Sequence, residues 1–103
     1  VKVRAQLLAM GATAAVADRV AARVARSCPD APGAFHPARL AREAADALGL
    51  PGPRQDALAD LVGGFYGAVD AADDIADGDA DDPVIAAGDV HRLLLLLVSR
   101  ATE

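Results

Sequence analysis

Asp70-Ala71-Ala72-Asp73-Asp74-Ile75-Ala76-Asp77-Gly78-Asp79-Ala80-Asp81-Asp82 is the stretch from which the rest of the chain is read. Seven of its thirteen residues are aspartate. A helix reaching Asp77 sets Asp70, Asp73, Asp74 and Asp77 at i, i+3, i+4 and i+7, and at about 100° per residue these four share one stripe. Like charges at such spacings repel by roughly 0.2–0.5 kcal/mol per pair. Asp is a modest helix former, and the negative end of the helix dipole disfavours carboxylates there. A feature that costs stability calls for a ligand, and cations between the oxygens would remove the repulsion. Hard oxygen donors suit Mg²⁺, which keeps several waters and is usually shared between one or two carboxylates and a substrate phosphate.

Upstream of the acidic stretch, Leu58, Leu61, Val62, Phe65 and Val69 form an apolar stripe at helical spacing. The expected helix therefore runs from about Arg54 to Asp77 and ends at Gly78. Gly63, Gly64 and Gly67 on it imply close approach by a neighbour or a ligand. Before it, Pro51-Gly52-Pro53 is the clearest punctuation in the chain. A preceding helix starts with Pro37 in its first turn, runs through Leu40, Ala44, Ala47 and Leu48, and stops at Gly49. Residues Cys28 to Gly33 form a loop. From Lys2 to about Arg26 the Ala-rich sequence reads as an amphipathic helix, with Val16, Val20 and Val24 on one side and Arg19, Arg23 and Arg26 on another flank. Gly11 and Thr13 mark a weak point in it. After the acidic stretch, Pro83 opens a last helix to about Ala101, whose Leu93–Val98 run is apolar on nearly all sides. A helix of this kind expects cover all round. There is no alternating strand pattern and no internal repeat. The expectation is a single all-α domain over 1–103, a helical bundle of about four helices.

Composition narrows the classes further. The chain has 103 residues, 53% of them hydrophobic, but Phe35, Phe65 and Tyr66 are its only aromatics, so Leu, Val and Ala must build the core. The net charge is −5, and without the acidic stretch the rest carries a net +2. Eight Lys or Arg lie within residues 1–54, too dispersed for a nucleic-acid surface. Cys28 is the single cysteine, which excludes an internal disulfide and fits a reducing, cytoplasmic setting. The apolar runs are far short of the ~20 residues of a membrane-spanning helix, and no targeting leader is visible.

Asp73-Asp74-Ile75-Ala76-Asp77 at the end of a long helix resembles the first aspartate-rich motif, DDxxD, of the trans-isoprenyl diphosphate synthases. Two further segments are similar to that family. Ala45-Asp46-Ala47-Leu48-Gly49 looks like the Ala-Glu-Ala-Leu-Gly that ends an earlier family helix, and Ala86-Ala87-Gly88-Asp89 looks like the Ala-Gly-Asp that opens the next. The resemblance covers the chain from about Gly33 onward. It implies the N-terminal half of the class I isoprenoid-synthase fold, in which Asp73, Asp74 and Asp77 are the catalytic metal ligands and Mg²⁺ holds an allylic diphosphate for joining to isopentenyl diphosphate. Substrate contacts would come from Asp89, with Arg39, Arg42 or Arg92 serving the diphosphate in place of the family's basic motifs, and with Phe65 or Tyr66 as floor of the prenyl pocket beside the small Val69. The chain departs from the pattern at three places. The family's Gly-Lys-Arg falls on Gly33, Ala34 and Phe35, the Arg-Arg-Gly after the aspartates is absent, and the second aspartate motif is not in this chain. The resemblance thus implies an N-terminal portion, a split subunit or a diverged member.

Other readings stand beside this one. The aspartates also read as a solvated helix end. An EF-hand loop starting at Asp77 fails, because Asp82 stands where glycine is needed and Gly88 where glutamate is needed. The competing class of function is a non-catalytic helical subunit or association module. The exposed Leu93–Val98 run leads to the expectation of a homo-oligomer or of a partner subunit.

Overall fold

The computed structural model describes residues 2–101. Five helices follow one another: α1 (Val3–Ala9), α2 (Ala14–Ser27), α3 (Pro37–Ala47), α4 (Gly52–Asp77) and α5 (Pro83–Ala101), with no strand among the described residues. The protein is an all-α bundle, as expected, with one more helix than the sequence pattern suggested. The extra helix comes from the weak point at Gly11, whose φ of 91° no helix tolerates. The chain restarts at Thr13, whose hydroxyl caps α2 by accepting from the Val16 amide at 3.3 Å.

Local chemistry explains the other boundaries. His36 caps α3, its Nδ1 accepting from the Arg39 amide at 2.9 Å, and Pro37 occupies the first turn. α4 starts at Gly52, two residues before the expected Arg54, because Pro51 already holds an extended conformation and Pro53 is tolerated in a first turn. It ends at Gly78, which takes φ 77°, while the Gly78 and Asp79 amides donate to the Ile75 and Asp74 carbonyls in a Schellman arrangement. Asp82 then caps α5, its carboxylate accepting from the amides of Val84 and Ile85 at 3.0 and 3.2 Å.

The long α4 is the hub: α3, α5 and α2 pack on it, and α1 packs on α2. Val3, Leu7, Ala17, Val20, Val24, Ala68, Leu93 and Leu96 form the buried cluster. The face of α4 turned inward is made of Ala59, Gly63, Gly64, Gly67, Ala68 and Ala71. Small residues there let the neighbouring helices approach closely. A Cβ on Gly67 would lie 2.8 Å from Val24 Cγ2 and 3.2 Å from Val24 Cα. Since the second atom is backbone, α2 itself would have to move. Gly67→Ala is therefore expected to destabilise the fold by about 1–3 kcal/mol despite its better helix propensity. Urea denaturation checks this, and a midpoint equal to or above the parent's would refute the close approach.

The molecule measures 42 × 33 × 19 Å, so its thinnest dimension is about two helix diameters. Two layers cannot cover every apolar side chain. The Leu93–Val98 run is split accordingly: Leu93 and Leu96 are buried, while Leu94, Leu95 and Val98 are 47%, 49% and 62% exposed.

Candidate functional site

The close contact at Gly67 lays the C-terminal half of α2 along the acidic end of α4. Ser27 donates to the Asp70 carboxylate, and Arg23 Nη1 lies 4.0 Å from Asp74 Oδ2. Arg23, Arg26, Asp70, Ala71, Asp73 and Asp74 line a cleft of about 320 Å³ between the two helices. The four stripe aspartates do not share one role. Asp70 and Asp74 turn toward α2, whereas Asp73 and Asp77 are exposed and their side chains have no hydrogen bond or ion pair among the described residues.

Beneath the cleft lies the one buried charged side chain among the described residues, Asp89 of α5, with no exposed surface. It accepts from Arg19 Nη2 at 2.7 Å, from Arg19 Nε at 3.1 and 3.0 Å, and from Arg23 Nε at 2.8 Å. Burial pushes the Asp89 carboxyl up. The hydrogen bonds from Arg19 and Arg23 and their positive charges together outweigh burial and hold it below its ordinary range. The hydrogen bond to Asp89 likewise raises Arg19, against a smaller opposing effect of burial. Asp89 was expected among the substrate contacts. Its carboxylate is sealed from solvent and taken by two guanidinium groups, so its part is to hold α2 to α5 and to fix Arg23, only 16% exposed, at the cleft wall.

The other expected substrate residues are dispersed. Arg42 pairs with Asp56 at 2.7 Å near the start of α4, about 25 Å along the helix axis from Asp73. Arg39 pairs with Asp30 at 2.6 Å. The cations at the aspartates are instead Arg23 and Arg26, which the sequence shows only as part of a basic flank on α2. Phe65 is 52% exposed, and Tyr66 and Val69 are half-buried. Tyr66 meets Phe35 edge-on at 5.6 Å between ring centroids and closes an apolar groove of about 230 Å³ with Pro37, Leu40, Ala41, Ala44 and Val62. His91 is exposed on α5.

Among the described residues no three His, Cys, Asp or Glu side chains gather closely enough to cage a metal ion. The donors present fit a different arrangement. Asp73 and Asp77 stand one turn apart and are uncommitted, which suits a hard cation completed by waters and by the oxygens of a phosphate ligand. No helix among the described residues is long and apolar enough to cross a membrane. Compared with known proteins, the chain matches no family model, and no curated protein or solved structure matches it.

Proposed function

We propose that this domain binds the diphosphate group of an allylic isoprenoid along the acidic end of α4, together with Mg²⁺, and that it represents the first half of a prenyl-transferring site. One observation carries the reading. Phe65, Val69, Asp73 and Asp77 follow at i+4 steps on a single ridge of α4, half-buried or exposed throughout, so an apolar rail leads directly into an uncommitted pair of carboxylates. About 12 Å of helix axis separates Phe65 from Asp73. Asp73 and Asp77, with Asp74 at the cleft edge, would hold the cation. When bound, it neutralises the charge of a departing diphosphate. Arg23 and Arg26 offer hydrogen-bond donors to phosphate oxygens from the facing helix, and Phe65 and Val69 contact the hydrocarbon.

The ridge is open to solvent, and allylic transfer requires that water be kept from the reacting carbon. A complementary half, supplied by further chain or by a partner subunit, would close it, and joining to isopentenyl diphosphate would take place only in that closed form. The domain alone should bind but not turn over. The test is thermal unfolding at constant ionic strength with Mg²⁺ and inorganic pyrophosphate. Any ligand bound only by the native state at ~100 Kd contributes about 2.7 kcal/mol, which raises Tm by roughly 10 °C or more in a domain of this size. Asp73→Asn and Asp77→Asn should lose the shift and Asp81→Asn should keep it. Equal shifts in all three variants, or none in the parent, would leave the aspartates as a solvated helix end.

A second reading, a non-catalytic association module, is favoured by the outer face of α5. Val84 is 81% exposed there, and Leu94, Leu95 and Val98 are about half exposed.

A further inference from the structure

α5 turns Ala86, Asp89, Leu93 and Leu96 into the bundle and Val84, Ala87, His91, Leu94, Leu95 and Val98 away from it. The outward set runs the length of the helix without a charged residue, and it is bordered beside Leu95 by Met10, 48% exposed, and by the exposed Arg92. Gly88 adds a second observation. Gly64 and Gly67 are accounted for by their own chain, since a Cβ at either would press on Leu97 or Val24, but a Cβ at Gly88 would meet nothing within 4 Å. A glycine inside a helix lowers its stability by up to about 1 kcal/mol relative to alanine, and no packing within this chain requires it. It leaves a notch in the outward face.

We infer that this face pairs with α5 of a second copy, antiparallel about a two-fold axis at His91. The pairing follows from the order of residue sizes along α5. Reversing the helix about position 91 sets Val84 against Val98 of the other copy and lays the small pair Ala87-Gly88 against the large pair Leu94-Leu95. Each notch receives a knob, twice by symmetry, as an isologous interface requires. Charge agrees with this direction. In the antiparallel direction the two helix dipoles oppose. The exposed apolar side chains offer on the order of 600 Å² per copy, so a pair buries at most about 1,200 Å², the lower edge of a specific interface. The dimer is accordingly weak and concentration-dependent. It uses none of the aspartates of α4 and stands independently of the diphosphate reading.

Sedimentation of the parent chain from micromolar to submillimolar concentration should show a monomer–dimer equilibrium. Gly88→Leu puts a side chain into space that is empty in the monomer and improves helix propensity, so it should raise Tm yet weaken dimerisation about tenfold or more. His91→Glu and His91→Lys place like charges on the two-fold axis and should each be monomeric, while an equimolar mixture of the two should form a heterodimer. A parent that stays monomeric, a Gly88→Leu chain that dimerises as well as the parent, or a Glu and Lys mixture that stays monomeric would each overturn the pairing.

Discussion

Replacing Asp89 by leucine is expected to cost about 3 kcal/mol, a drop in Tm of roughly 12 °C or more for a chain of this size. The reasoning rests on what is left behind. The side chain has no exposed surface and satisfies two arginines from two turns of α2, so its loss strands Arg23, which is 16% exposed, in a partly desolvated position. Arg19 is 40% exposed and is screened by solvent, which sets the expected cost at the lower end of the range for broken buried pairs. If unpaired charge is the cause, removing it should repair the damage. Asp89→Leu combined with Arg19→Met and Arg23→Leu should regain most of the parent stability, measured as the urea midpoint at constant slope. A single variant within about 1 kcal/mol of the parent would show that the network contributes little. The acid limb gives a separate check. The folded-state carboxyl of Asp89 lies below its ordinary value, so its contribution is fully present above the unfolded value of about 3.9 and is lost as pH falls through the depressed folded value. Asp89→Asn should lose this part of the acid destabilisation while keeping that of the other carboxylates.

Leu93→Ala should cost about 2–5 kcal/mol, whereas Leu94→Ala one residue further should change stability by less than about 0.5 kcal/mol at concentrations where the chain is monomeric. Leu93 is 0% exposed within the cluster formed with Val20, Val24, Ala68 and Leu96, and truncation there opens a cavity that the surrounding helices cannot fill. Leu94 is 47% exposed, and its truncation removes little from the folded monomer. Parallel urea titrations of the two variants read the contrast directly. Similar losses for both would mean that α5 is rotated about its axis from the orientation described, and the antiparallel pairing would lose its basis with it.

The candidate site was legible from the sequence to an unequal degree. The acidic end of a long helix and the apolar stripe leading to it were readable, because both lie on one helix and follow from its 3.6-residue repeat. The surroundings of Arg39 and Arg42 were not readable in the same way. An arginine in sequence carries no sign of its partner, and these two are committed to Asp30 and Asp56. Arg23 and Arg26 were visible only as one flank of α2, since their place beside Asp74 depends on how closely α2 approaches α4 at Gly67.

The sequence by itself determined where most of the helices begin and end, the break between α1 and α2 excepted. Pro37, Gly49, Pro51, Gly78 and Pro83 act through φ angles and amide groups within a few residues, and such constraints operate before any tertiary contact exists. The tertiary structure alone decided which faces these helices bury. In the Leu93–Val98 run every position is apolar, so no period marks an inner side, and packing on α4 selected Leu93 and Leu96. It also decided the fate of Asp89, which stands 66 and 70 residues from the arginines that hold it. A charge in the sequence carries no record of its burial, because burial is a property of what the rest of the chain places around it.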